Sequence, residues 1–538
     1  MRKLASTTTV IKYLNFFSPR ENRIRKTIIL TISCLAISII SSNTMAQSTY
    51  AVPIDELAQQ EKWRKVVEKQ PNNLEAHSKY LELFYSTELS TAKQYDLWIK
   101  KYPRSYVIPF AIGKAYFERQ DPKAKSYLLK ALLVKPNLAE ASYLLGIDAQ
   151  FRGDNMESIT YYKKATEADP KNPTYSFIYA LSYKDIDKIL YDSLSFNTIR
   201  RFPASKEAAQ SLSFLASDAN DIGLKSAYYQ QLYKLFLKHP SDETNSYVGY
   251  NYFSYLLNTD PVKALELAVS MVTEFRSRTF DWNHKYRVAK SFTEARNFLN
   301  TNQPGEAIKL LAKIELTSEW NHSFIDATET LQIFKAEAAA AANQTHAAYD
   351  SLATYYSKTP SKILRVAAIM HGKKLGLDEL HFDTCISNLR NAHAENFPDF
   401  PLQSYLTDNK VSIKDFKGKV ILLTFWFPGC GPCRYEFPFF ENVIKKFSPN
   451  EVAYLGINTD FKQDEFVLPL MKSTGYSFVA LRDDLKWNKR TFGFYGGVPA
   501  NYLIDKNGNI IFSEFRVGDR AGEERLELMI KELLNEKE

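Results

Sequence analysis

The chain has 538 residues, of which 45% are hydrophobic and 24% charged. That length exceeds a single compact core and implies two or more domains, and the composition excludes global disorder. The formal net charge of +8 is no sign of a polyanion binder: Arg2, Lys3, Lys12, Arg20, Arg23, Arg25 and Lys26 against Glu21 put +6 of it in residues 1–46 and leave +2 for the rest. No nucleic-acid partner is therefore expected.

Residues 1–46 read as an export signal, which predicts a periplasmic protein. A basic segment ends at Arg25-Lys26, the 14-residue apolar stretch Thr27–Ile40 follows, and Thr44-Met45-Ala46 is a weak small-x-small cleavage pattern. The apolar stretch is short beside the roughly 20 residues of a membrane span. An uncleaved inner-membrane anchor over residues 27–42 is the alternative. Cys34 lies inside this stretch and reads as one of its apolar residues, because Thr31-Ile32-Ser33 fits a lipoprotein signal poorly.

Internal repetition dominates residues 50–390. Prolines at 71, 103, 136, 170, 203 and 240 recur at spacings of 32, 33, 34, 33 and 37, each after a predicted helix. In the clearest unit, Ala139 to Pro170, Leu145-Gly146 precede Ala149, Ser158, Tyr162, Ala165 and Pro170. The preceding unit repeats the scheme with Gly113, Tyr116, Ala124, Leu128, Ala131 and Pro136. This pattern resembles the tetratricopeptide repeat: small residues let paired helices approach, an aromatic fills the gap to the next pair, and proline stops the second helix. Beyond Pro240 the spacing loosens. Helices are expected to begin near Gly249-Tyr250 and to cover Pro261–Phe275, a stretch from Pro304, and Ala347–Tyr356. Such arrays often bind peptides or proteins, so a protein partner on the array is expected, with a spacer or oligomer-forming role as the alternative. Cys385 has no obvious partner and reads as a buried, inert thiol.

Near residue 395 the pattern changes, and Pro398 and Pro401 end the helical array. Strands are predicted at Val420–Trp426, Val452–Ile457, Phe478–Leu481, Tyr502–Ile504 and Ile510–Phe515, with a hairpin turn through Asp505-Lys506-Asn507-Gly508-Asn509. Helices are predicted at Cys433–Phe447, Asp464–Ser473 and Gly522–Leu534. The whole is an all-α repeat array followed by an α/β domain at 396–538. At the end of the first long strand stands Cys430-Gly431-Pro432-Cys433. Two cysteines three apart at a strand-to-helix turn can make and break a disulfide reversibly. No second pair or His cluster lies nearby, which favours redox chemistry over a zinc site, so neither metal nor cofactor is expected. A thiol at a helix N-terminus is acidified by unpaired N–H groups and the helix dipole, which predicts Cys430 as an exposed nucleophile and Cys433 as the shielded second sulfur.

These blocks resemble the thioredoxin fold, and in particular the TlpA/ResA-like branch of bacterial thiol–disulfide oxidoreductases, within the redoxin superfamily. The resemblance covers 396–538. It rests on Pro-Asp-Phe-x-Leu at 398–402, Phe-Lys-Gly-Lys-Val at 416–420, and Phe-Trp followed by Cys-Gly-Pro-Cys-Arg-x-Glu-x-Pro at 425–438. Gly-Ile-Asn-Thr-Asp at 456–460 and Gly-Val-Pro-x-x-x-Leu-Ile-Asp at 497–505 continue it. The resemblance implies a redox-active Cys430–Cys433 disulfide, a cis-proline loop at Val498-Pro499 that meets an extended substrate, and Glu436 as a proton relay. The plain reading of Glu436 is an acid in the first helical turn. Trp426, Gly431, Pro432 and Arg434 are support residues. Trp426 is expected under the active-site loop, and Arg434 either beside the thiolate or as a solvated charge. Gly429 stands where thioredoxins usually carry Trp, and Thr424 where many carry a buried acid.

The activity this implies is an exported thiol–disulfide oxidoreductase. The Gly-Pro dipeptide, shared with thioredoxin, tilts it toward reduction of protein disulfides, with electrons drawn from a membrane-linked donor. Two alternatives carry different chemistry. One is a repeat scaffold with a regulatory redox domain. The other is a thiol peroxidase, which fits poorly because Phe427 and Leu423 stand where peroxiredoxins have Thr and Pro.

Overall fold

A computed structural model describes residues 54–274, 281–316, 327–399, 401–407, 409–483, 497–513 and 515–535. The export segment and anchor expected within residues 1–46 lie outside the described residues. Among the described residues no helix is long and apolar enough to cross a membrane.

From Ile54 to Asn391 the described residues form a run of helices. Pro71, Pro103, Pro136, Pro170, Pro203 and Pro240 each stand two residues past a helix end, after Lys69, Lys101, Val134, Ala168, Arg201 and Lys238. Starts are written in the sequence as well: Asp154, Asn172, Asp187, Ser205, Asp221, Ser241 and Asp260 each accept a backbone N–H of the first turn. In the hairpin Ala139–Phe151/Asn155–Ala168, Gly146 faces Tyr162 so closely that a Cβ would lie 2.4 Å from the ring. Ala149 and Ala165 are buried in the same contact. One expectation is corrected. The helix placed at Gly249-Tyr250 begins at Asp242, because Ser241 caps it, and Val248–Tyr252 form a π-helical turn before the helix resumes over Phe253–Thr259.

Beyond Asn391 the described residues form an eight-stranded sheet in the order β1-β8-β7-β4-β5-β6-β2-β3. The strands are β1 (Glu395–Asn396), β2 (Leu402–Ser404), β3 (Lys410–Val411), β4 (Val420–Trp426), β5 (Val452–Asn458), β6 (Val479–Arg482), β7 (Ala500–Ile504) and β8 (Asn509–Ser513). β4, β5 and β6 are parallel, and β7 runs antiparallel to β4. All seven residues of β4 are buried. Because side chains alternate across a strand, Val420, Leu422 and Trp426 face a core shared with helices Gly431–Ile444, Asp464–Thr474 and Arg520–Asn535. Ile421, Leu423 and Phe425 face the opposite core, closed by Phe397, Leu402 and Ile413.

The array packs on this domain at both ends. Near the redox helix, Phe151 meets Phe466 edge-on at 5.6 Å, and Arg152 lies over the same ring at 4.9 Å. Gly153 adopts φ +73°, and a Cβ there would come within 2.9 Å of Thr474, so glycine serves both the turn and the close approach. Lys184 Nζ lies 3.3 Å from the Tyr435 hydroxyl. At the far end Tyr356 and Arg390 both bond Glu532, and Lys362 pairs with Glu524 at 2.8 Å.

Gly146→Ala should destabilise the array by about 1–3 kcal/mol, because the added Cβ would collide with the buried Tyr162 ring. Gly305, with open space around it in helix Pro304–Leu311, is the control. Gly305→Ala should be neutral or stabilising by about 0.5–1 kcal/mol. Urea unfolding of the full chain distinguishes the two.

Candidate active site

The redox helix opens on the cysteine pair. Cys430 is the N-cap of helix Gly431–Ile444, and its sulfur lies 3.2 Å from the Cys433 backbone N–H. Gly431 and Pro432 occupy the first turn, where Pro has no bond to lose. Cys430 and Cys433 form a disulfide with Cα atoms 5.4 Å apart. Cys433 is fully buried, and Cys430 is only 4% exposed. The expected order of shielding is present, but Cys430 is not the exposed sulfur that its position alone suggests: it closes the disulfide and packs in the core with Trp426 and Phe437. Among the described residues, Gly431 and Pro432 next to it are exposed, as is Gly497 just before the cis-proline bond.

Trp426 is wholly buried beneath the cysteine turn, edge-on to Phe437 at 5.2 Å and Phe478 at 5.3 Å. The Val498-Pro499 bond is cis, Pro499 is buried, and half-buried Val498 packs against the core that holds both cysteines. The structure therefore brings Cys430, Cys433, Trp426 and Val498 together. Arg434 departs from the solvated charge considered for it. It is half-buried, near Tyr476 and near Tyr162 of the array, and burial pulls its guanidinium below its ordinary value. Cys385, away from this site, is half-buried beside Tyr349, and burial pushes its thiol up.

Glu436 lies in the second turn of the helix, not the first, because the helix begins at Gly431 rather than Cys433. It is buried. Its Oε1 accepts from Arg516 Nε at 2.9 Å and from the Val517 N–H at 3.0 Å, and its Oε2 accepts from Asn501 Nδ2 at 3.0 Å. Burial nevertheless wins and pushes its carboxyl above the usual carboxylate range. Arg516 also donates to the Pro499 carbonyl at 3.0 Å, so one guanidinium ties the acid to the cis-proline loop. Asn501 sits directly opposite Thr424 in the β4–β7 ladder. It accepts the Thr424 hydroxyl at 2.8 Å and donates to the Phe515 carbonyl at 2.9 Å. At the position where many thioredoxins hold an acid, this chain thus places a Thr–Asn–Glu chain of hydrogen bonds. A second buried amide, Gln463, accepts the Gly429 N–H at 2.6 Å.

Arg516, Asn501 and Gln463 escaped sequence reasoning. Only Asn501 had a usable signal, as a polar residue near the start of an otherwise apolar strand, two positions after Pro499.

Comparison with known proteins bears on this geometry. The Redoxin family model matches residues 392–527. The thiol-disulfide oxidoreductase ResA of Bacillus thuringiensis strain Al Hakam is 30% identical over 128 residues, which cover 24% of this chain and 71% of that protein. The chain belongs to the ResA family. It is a thiol–disulfide oxidoreductase with a thioredoxin-like C-terminal domain behind a helical region. The thioredoxin-like protein YneN of Bacillus subtilis is 29% identical over 133 residues, covering 24% of this chain and 72% of that one. The solved thioredoxin domain of a thiol-disulfide oxidoreductase from Bacteroides vulgatus is 26% identical, with 25% of this chain and 96% of that one covered and a TM-score of 0.23.

Two outcomes are expected of this ResA-family site. Asn501→Ala leaves Thr424, Glu436 and the Phe515 carbonyl short of a partner and should cost about 1–3 kcal/mol in urea unfolding. For Glu436 the raised folded-state value means that the fold favours the protonated acid. Its contribution is present below the ordinary 4.5 and is lost as pH rises through the raised value. Across that window the wild type should lose stability relative to Glu436→Gln, and parallel pH series of urea midpoints check the sign.

Proposed function

We propose that this protein is an exported, periplasmic reductase of protein disulfides that works through the Cys430/Cys433 dithiol. The observation that carries the reading is the closed Cys430–Cys433 disulfide at a helix N-cap, next to exposed Gly431 and Pro432. In the reduced protein the Cys430 thiolate is favoured by the N–H groups of the first turn. It attacks one sulfur of a client cystine, the client S–S bond breaks, and the other client sulfur leaves as a thiolate. Cys433 then gives up its proton and attacks the Cys430 sulfur. The mixed disulfide breaks, the client leaves with two electrons gained, and the Cys430–Cys433 bond closes. Glu436, one helical turn beyond Cys433 and raised by burial, is the proton acceptor for that second step. Val498 and Pro499 line the client, whose extended backbone pairs with the loop in the manner of an added strand. A membrane-linked dithiol donor of the same chemical class restores the reduced state. The apolar stretch near residues 27–42 is the export signal or anchor, and tetratricopeptide-type hairpins present protein partners.

Three measurements test this reading. Cys433→Ser should accumulate mixed disulfides with oxidised clients, while Cys430→Ser should trap none and lose at least about 10³-fold of insulin-reducing activity; trapping on Cys430→Ser instead would reverse the roles. The reduction potential should lie nearer the roughly −270 mV of thioredoxin than the roughly −120 mV of the oxidant DsbA. Glu436→Gln should slow client release by about 10²-fold at pH 7 and flatten its acidic limb, read by single-turnover decay of the mixed disulfide.

A further inference from the structure

The peptide just before Cys430 is held by a residue that belongs to the helical array. Gln120 lies in the turn between helices Val107–Glu118 and Ala124–Val134. Its backbone has φ +55°, the left-handed helix-ending turn that recurs in the array at Gly153, Asn302 and Asn343. Its Oε1 accepts a hydrogen bond from Gln463 Nε2, across 343 positions of sequence. Gln463 is wholly buried, held also by Asp460 at 2.9 Å, and its own Oε1 accepts the Gly429 N–H at 2.6 Å. The chain of contacts thus runs from the array to the residue adjoining the attacking sulfur.

Gly429 meets the same side chain from the other side. A Cβ at this position would lie 2.8 Å from Gln120 Oε1 and 3.0 Å from Gln120 Cδ. The place where a side chain on this residue would stand is filled by Gln120 of the array together with Gln463 Oε1 at 2.9 Å. Gly431 and Gly497, by contrast, are exposed. Among the described residues, nothing beyond the adjoining backbone comes within 4 Å of where a Cβ would stand on either. Among the described residues Gln120 thus covers Cys430 on the Gly429 side, and the exposed strip lies at Gly431 and Pro432.

We propose that Gln120 is a positioning and specificity-determining residue of the redox site: through Gln463 it fixes the peptide before Cys430, and by covering Gly429 it admits cystines on extended segments and excludes those on folded surfaces. This rests on the reading of Cys430 as the attacking sulfur. A broad folded surface must cover the whole rim of a buried sulfur to deliver its cystine. A single extended strand needs only the open strip.

The test uses the full chain with Gln120→Gly, which keeps the left-handed backbone and removes the side chain. Its substrates are a linear peptide disulfide and a folded protein carrying one surface disulfide. The ratio of kcat/KM for the folded protein to that for the peptide should rise at least about fivefold. Hydrogen exchange at the Gly429 amide should quicken at least about tenfold. Gln120→Glu, whose carboxylate still accepts from Gln463, should keep the amide protected. A ratio and an exchange rate both within twofold of wild type would overturn the inference. A wild type inactive on both substrates would instead remove the reductase reading, and the Gly429 exchange rate then still decides for or against the Gln120 hold.

Discussion

The pairing register of β4 with β7 is the constraint on which the redox site depends. It sets Thr424 opposite Asn501 inside a sheet whose neighbours on both faces are apolar. A buried hydroxyl and a buried carboxylate are costly unless every polar atom finds a partner. Asn501 supplies those partners at once, to Thr424, Glu436 and the Phe515 carbonyl. A slip of one residue would turn Asn501 to the opposite face of the sheet and strand the acid. The same register carries Pro499, which directly precedes β7, to the Arg516 guanidinium that bonds Glu436. Backbone pairing thus fixes the distance between the cis-proline loop and the helix that bears the cysteines.

Local signals were readable where the chemistry is local. The cysteine pair, the helix it opens and the long apolar strand before it lie within about 25 residues, and periodicity locates them. Proline placement located the helix ends of the array because each proline acts on its own neighbours. The short strands β1, β2 and β3 carried no period to detect, since two or three residues complete no alternation. The degree of burial of Cys430, and the roles of Arg516, Gln463 and Gln120, come from contacts between distant segments, which one sequence does not pair. The start at Asp242 was within reach, since Ser241 is a capping residue followed by acids at 242 and 243.

The helical region and the redox domain meet through unlike contacts at two places. Near the cysteines, rings and a glycine pack at Phe151, Phe466 and Gly153, beside the uncharged Gln120–Gln463 hydrogen bond and the Lys184–Tyr435 contact. Near the C-terminus it is charged, with Arg390 and Tyr356 converging on Glu532. Arg390 is itself buried and lies over the Phe512 ring at 4.8 Å, so this ion pair is shielded from solvent at one end. Shielded pairs are costly to break on one side only, because the remaining charge stays buried. The two contacts hold the redox domain against both early and late helices of the array.

The π-helical turn at Val248–Tyr252 reaches beyond its own five residues. One turn of that kind holds an additional residue compared with an α-turn, so every side chain after it is rotated by about 100° around the helix axis relative to an uninterrupted α-helix. In the continuation over Phe253–Thr259 that rotation decides which residues turn inward: Phe253, Leu256 and Leu257 are buried in the core they share with helix Pro261–Thr273.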